Sequence, residues 1–232
     1  MKAKGWMLTL VALTWISAIA FAQSSFSLGV KSGVNRTNLK LPDGLSDLNQ
    51  VPQFSAINNP SFGLIGEWQL APFFAIQPEL TFTTKGFKAQ QDGEFQLFGV
   101  DVPAGVVAYS EFNYLELPLL AKAKFGKGIV QGYLTAGPVL GYALDGKLTT
   151  RATVLVALDL MKTPINLENI NYERLEASIV SGAGLSVQAL HGQFFLDGRY
   201  QYGLSEVYDL PLISDKLQLR GLSLNAGYLY QF

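Results

Sequence analysis

Apolar and polar residues alternate with a period of two along most of this chain. Between 26 and 35, Phe26, Leu28 and Val30 interleave with Ser27, Gly29, Lys31, Gly33 and Asn35. The same rule holds over 61–70, 73–85, 109–125, 130–144, 174–189, 193–204 and 220–232, where the last segment sets Leu222, Leu224, Tyr228 and Tyr230 against Arg220, Ser223, Asn225 and Gly227. Strand side chains point alternately to two faces, so each segment predicts a strand with one apolar and one polar side. Each is ten or more residues long, the length that a tilted strand needs to cross a bilayer (~9–11). Ile65 is a lapse on the polar side, and Pro118, at an inward position, lacks a ladder donor and predicts a bulge or kink.

The connections alternate too. Those near Ala71-Pro72, Gly126-Lys127-Gly128 and Leu190-His191-Gly192 are tight, whereas those spanning 37–60, 87–107, 145–172 and 205–218 are long. Short turns on one rim and long loops on the other describe a transmembrane barrel with periplasmic turns. The expected fold is therefore all-β: a transmembrane antiparallel up-and-down β-barrel of eight strands. Ten strands is the alternative, if the apolar stretch Thr153–Leu158 in 145–172 joins the wall; that stretch also suits a strand extension, a short helix over the mouth or a partner surface. Loop 87–107, with Phe95, Leu97, Phe98 and Val100, suits a hairpin running on beyond the membrane, and loop 37–60 carries Asp43 and Asp47.

A water-soluble barrel, apolar inside and polar outside, has the same alternation. Composition argues against it. Charged residues make up 15% of the chain, against roughly 25% in soluble domains. The polar faces are rich in glycine, serine and threonine, which suits a crowded eight-stranded interior. Aromatic residues fall at both ends of the apolar faces. Phe26, Trp68, Phe74, Phe125, Phe194, Tyr230 and Phe232 lie toward the short turns; Phe62, Phe82, Tyr109, Tyr142 and Tyr202 lie toward the long loops. Two such girdles mark the two membrane interfaces. A net charge of −1 gives no reason to expect nucleic acid.

Residues 1–22 read as a Sec signal peptide. Lys2 and Lys4 precede the apolar run Trp6–Ile19, and Ala20-Phe21-Ala22 forms the cleavage site. The barrel domain is then 23–232, and the location expected is the bacterial outer membrane of a Gram-negative cell envelope. With no cysteine in the chain, lipid anchoring through cysteine, disulfides and thiolate metal sites are excluded.

The ending Asn225-Ala-Gly-Tyr-Leu-Tyr-Gln-Phe232 resembles the C-terminal assembly signal of outer-membrane proteins, with Asn225, Gly227, Tyr230 and Phe232 in the matching places. A second resemblance lies at Phe112-Asn-Tyr-Leu-Glu-Leu-Pro-Leu-Leu-Ala-Lys122, which is similar to the Tyr-Leu-Glu-Ile-Pro-Leu-Leu-x-Lys core of PorT-like outer-membrane β-barrel proteins; Leu117 replaces the commoner isoleucine. Gly29–Asn35 and Ala136-Gly-Pro138 resemble that family as well. The resemblance covers the mature chain and implies a barrel rather than an activity, with secretion across the outer membrane a role of some members.

Ten ionisable residues fall on inward positions: Glu67, Glu79, Lys85, Glu116, Lys122, Lys124, Arg174, Glu176, Asp197 and Arg199. An ion path or an acid–base site is one reading. A self-neutralising plug, in which buried charges pair, is the favoured one. His191, the single histidine, sits in a tight turn and reads as a turn residue rather than part of a catalytic triad. No glycine-rich phosphate loop or metal-ligand motif occurs. No catalytic, metal or cofactor-binding residues and no cofactors are expected. The function expected is a non-enzymatic barrel whose extracellular loops bind a partner; the alternatives are an accessory of protein secretion, a narrow pore, or an outer-membrane enzyme. Expected partners are outer-membrane lipid and lipopolysaccharide, the barrel-assembly machinery, and an extracellular or periplasmic protein.

Overall fold

The computed structural model describes residues 25–40, 53–97, 100–154, 156–165, 173–205 and 218–232. Residues 1–22, expected to be a signal peptide, and Asp43 and Asp47 lie outside them. Nine strands follow one another: β1 (Ser25–Lys40), β2 (Gln53–Ala71), β3 (Phe74–Leu97), β4 (Val100–Phe125), β5 (Val130–Val154), β6 (Val156–Ile165), β7 (Leu175–Ala189), β8 (Gly192–Gly203) and β9 (Gln218–Gln231). All pairings are antiparallel, and β9 returns to β1 through partners such as Leu28–Tyr230 and Val34–Leu224. That closure leaves no open edge in the wall, as a sheet in lipid requires.

The wall has eight strands, because β5 divides its partners. Val130–Tyr142 pairs with β7, completing the barrel, whereas Gly146–Val154 pairs with β6. The stretch 145–172 therefore carries a strand extension and its returning strand rather than two more staves, which removes the ten-stranded alternative. β3 and β4 likewise run out together to the pair Leu97–Val100. At 24, 26 and 25 residues, β3, β4 and β5 are more than twice the length that a bilayer needs (~9–11). Their upper parts and β6 form a four-stranded extension above the long-loop rim.

Inside and outside follow the alternation. Leu117 is 56% exposed and its neighbour Glu116 is 6% exposed. Ile65 stays inward and is buried with Tyr133, Phe195 and Leu229 in a small apolar cluster in the lumen. Leu120, Val139 and Val180 make a second. The tight turns lie where the glycine signals put them, with Gly126 and Gly128 at φ of 100° and 104°, a region that favours glycine.

Two expectations need correction. Pro118 is buried, but the register runs unbroken past it, from Pro78–Leu119 to Thr81–Glu116 on one side and from Pro118–Val139 to Ala121–Ala136 on the other. A missing donor here interrupts the ladder without adding a residue. The bulge lies higher, where Asn113 faces Asp145, Tyr114 faces Ala143 and Leu144 is the extra residue. Arg220 does not join the polar face. It shares the outward face with Leu222 and Leu224, and its guanidinium lies 4.7 Å from the ring centre of outward Tyr202.

Candidate functional site

The polar faces of the eight wall strands converge on the lumen, and its contents are the first candidate for function. Five cations (Lys31, Lys85, Lys122, Lys124 and Arg199) meet five carboxylates (Glu67, Glu79, Glu116, Glu176 and Asp197). The set is electrically neutral, and it is arranged in three groups along the axis.

The group nearest the short turns centres on Glu67, which accepts from Lys122 Nζ at 2.7 Å and from Lys124. Lys124 also donates to Gln69. Above it, Glu79 accepts from Lys31, from Gln77 and from Arg199 Nη1 at 2.9 and 3.0 Å. The Nε and Nη2 of Arg199 turn to Asp197 at 2.9 and 2.8 Å, and Asp197 is also held by Asn225 at 2.9 Å and by the Tyr133 hydroxyl at 3.1 Å. The third group centres on Lys85, whose Nζ is 2.7 Å from Glu116 and 2.8 Å from Glu176. Gln201 donates to Glu116 at 3.0 Å and to Ser178 at 2.7 Å.

Burying a charge is tolerable only where partners replace its water, and each of these ten has one. Rings close the gaps between groups: Lys122 Nζ lies 4.0 Å from the ring centre of Tyr133, and Lys85 Nζ lies 4.9 Å from that of Tyr114, both within cation–π range. Glycines make room for the rings. A Cβ on Gly184 would sit 2.5 Å from the Tyr133 ring, and one on Gly227 would sit 2.6 Å from Phe195. In the middle of the lumen a cavity of about 40 Å³ remains, and the short-turn mouth opens as a polar vestibule of about 240 Å³ lined by Gln69, Gln131, Gln188, Gln193 and Gln231. The arrangement holds these side chains in place as a packed ionic core.

Nine of the ten inward charges named from the sequence belong to this core. Arg174, the tenth, lies half-buried one residue before β7, where its carbonyl accepts from Ala143. Lys31, the tenth member, stands on the polar face of its segment. Tyr133, Tyr114 and Phe195 escaped sequence reasoning, because aromatic residues at inward positions interrupt the polar pattern that identifies that face. For Tyr133 and Phe195 the signal is the glycine opposite the ring in register, Tyr133–Gly184 and Phe195–Gly227, which is visible only once the strands are aligned.

The C-terminal residues divide by face. Asn225 and Gly227 serve the lumen, as above. Tyr230 and Phe232 point to lipid with ring centres 5.1 Å apart, and the Phe232 amide bonds to the Phe26 carbonyl at 3.2 Å. His191 is exposed in its turn, where its carbonyl accepts from Gln231 at 2.9 Å.

The segment similar to PorT-like proteins takes on a meaning here. Its inward residues Tyr114, Glu116, Pro118, Leu120 and Lys122 are all buried in the lumen, and its outward residues Leu115, Leu117, Leu119 and Ala121 face lipid. The motif spells a piece of the lumen's ionic core.

Comparison with solved structures finds outer-membrane barrels. Ail, the attachment invasion locus protein of Yersinia pestis, is 16% identical, with 88% of this chain and 98% of that chain covered and a TM-score of 0.40. Neisserial surface protein A is 12% identical (88% and 97% covered, TM-score 0.45), and OprG from Pseudomonas aeruginosa is 12% identical (90% and 95% covered, TM-score 0.41). Among curated proteins no sequence matches. The family model described as outer membrane protein beta-barrel domain matches residues 21–209. The chain belongs to this family and is a bacterial outer-membrane β-barrel protein.

Proposed function

We propose that the protein is a non-enzymatic scaffold: a sealed barrel that holds a β-sheet extension outside the cell for a protein partner. The observation that carries this reading is the extension itself. Among the described residues β6 pairs with β5 alone, so no described strand lies along its other edge. Such an edge is a template for an added strand. The paired lumen supports the same reading, because its charged side chains are engaged with one another.

In this proposal residues 1–22 direct Sec export and are removed after Ala22. The likeness of Phe112–Lys122 to PorT-like proteins supports membership of that group, and through it a partner in protein secretion across the outer membrane. Deleting residues 149–162 tests the reading, since Leu148 and Thr163 face each other in the hairpin and can be joined directly. The shortened protein should still fold and insert. Crosslinking in cells should lose partners that the full chain captures. Unchanged crosslinks, or hydrolase activity in the purified protein, would contradict the proposal.

A further inference from the structure

Outward charges at the long-loop rim are distributed unevenly. On the β3–β5 side they are of mixed sign: Lys88, Glu111, Asp145 and Lys147, with Glu111 and Lys147 facing each other in register. On the side made by β8, β9 and β1, outward charge is only cationic among the described residues: Arg36 and Arg220. Arg36 faces Leu222, and Arg220 faces Asn38. The two arginines are thus diagonal neighbours on one face, with Cβ atoms about 7–8 Å apart or less. Both can reach one anion. Among the described residues neither guanidinium has a carboxylate partner, and the Arg220 Nε is shielded without a hydrogen bond.

Their height on the wall is informative. Arg36 is eleven residues above Ser25, and Arg220 is eleven residues before Gln231. A membrane-crossing strand takes ~9–11 residues, so both guanidiniums stand at the outer interface, level with lipid headgroups. Below them the wall is apolar through Val34, Leu222 and Leu224 and then opens into a groove. Its floor is the small pair Ser32 and Ala226, which face each other. One bank is the pair Phe62 and Phe82; the other is Phe194 against Tyr228, with ring centres 4.8 Å apart. Ser32 lies four residues below Arg36, about 13 Å along the strand.

A cationic pair at headgroup level above an apolar groove matches a lipid with a phosphate on its head and a long acyl chain. We propose that this stripe is a specific site for the lipid A part of lipopolysaccharide, the phosphorylated lipid of the outer leaflet. Arg36 and Arg220 hold one phosphate through charge-assisted hydrogen bonds, the geometry for which guanidinium is suited. Tyr202 keeps Arg220 in place from beneath, and one acyl chain lies over Ser32 and Ala226. The opposite side of the barrel, with its mixed charges, lacks the site. This inference is independent of the scaffold proposal, since it concerns the lipid face and not the extension.

The test is binding of purified lipid A to the full chain refolded in detergent, read by native mass spectrometry and by melting temperature. Phosphatidylglycerol and inorganic phosphate serve as comparison ligands. Lipid A should be retained and should raise the melting temperature; the double variant Arg36→Gln/Arg220→Gln should bind on the order of tenfold more weakly. Ser32→Phe, which fills the groove floor from outside, should also weaken lipid A binding while leaving the lipid-free melting temperature unchanged. Equal binding of lipid A by wild type and both variants would overturn the site. Equal retention of phosphatidylglycerol would overturn its specificity, and an equal effect of inorganic phosphate would reduce it to a free-anion site.

Discussion

The two faces of one wall follow opposite rules. Inside, ten charges lie in contact and each depends on a named partner. Outside, leucines, valines and aromatics stand exposed toward lipid. The inner face is a puzzle with few solutions, because a buried charge stripped of its partner retains its desolvation cost. The outer face asks only for apolarity. Substitutions of similar size should therefore be costly on one side of a strand and nearly neutral one residue later.

The inner face is also uneven within itself. Glu79, Glu67 and Lys85 each bind two opposite charges, whereas Glu116 binds one cation that keeps Glu176 if Glu116 is lost. Glu79→Ala should have the largest effect. It strands buried Lys31, which among the described residues pairs with Glu79 alone, and should cost about 3–5 kcal/mol in denaturant unfolding from vesicles. Next comes a charge placed in lipid. Leu119 lies six residues above the end of β4, near mid-membrane, and Leu119→Arg should cost about 2–4 kcal/mol by the same measurement. Glu116→Ala should cost less, about 1–3 kcal/mol, because Lys85 keeps Glu176 and Gln201 keeps Ser178. A loss for Glu116→Ala equal to that for Glu79→Ala would show that the groups act as one network rather than around hubs.

The smallest stability effect should come from the C-terminus. Phe232 is 75% exposed on the lipid side, so its deletion should cost less than the roughly 1.5 kcal/mol of a buried side chain. Its role is proposed to lie earlier, in recognition by the barrel-assembly machinery. The deletion should therefore lower the amount reaching the outer membrane while refolded protein melts almost normally. Normal insertion in cells would make the resemblance of Asn225, Gly227, Tyr230 and Phe232 to an assembly signal a coincidence.

Alternation made the barrel legible in the sequence, because period two is a local property and survives without knowing which strands pair. The same pattern put Glu67, Glu79 and Lys85 inside. Pairing was not legible. Lys85 and Glu176 are ninety-one positions apart, and only the register brings them together. Pro118 misled because a lost donor and an added residue look alike in sequence, yet only the second shifts the ladder. Arg220 misled because polarity was equated with the lumen. At the outer interface an arginine can face outward, its guanidinium against the Tyr202 ring. The extension was legible in part, with 87–107 suiting a hairpin beyond the membrane and Thr153–Leu158 a strand extension; its bounds were not, because a strand beyond the membrane need not have one lipid-facing side, and the period-two signal fades there.

The charged lumen is proposed to be a core and not a passage. Reconstituting the full chain in planar bilayers and recording single-channel current decides between the two. The paired groups around Glu67, Glu79 and Lys85 predict no stable open level, with conductance appearing only in variants such as Glu79→Ala that break a hub. A steady channel of nanosiemens size in the unmodified protein would contradict it.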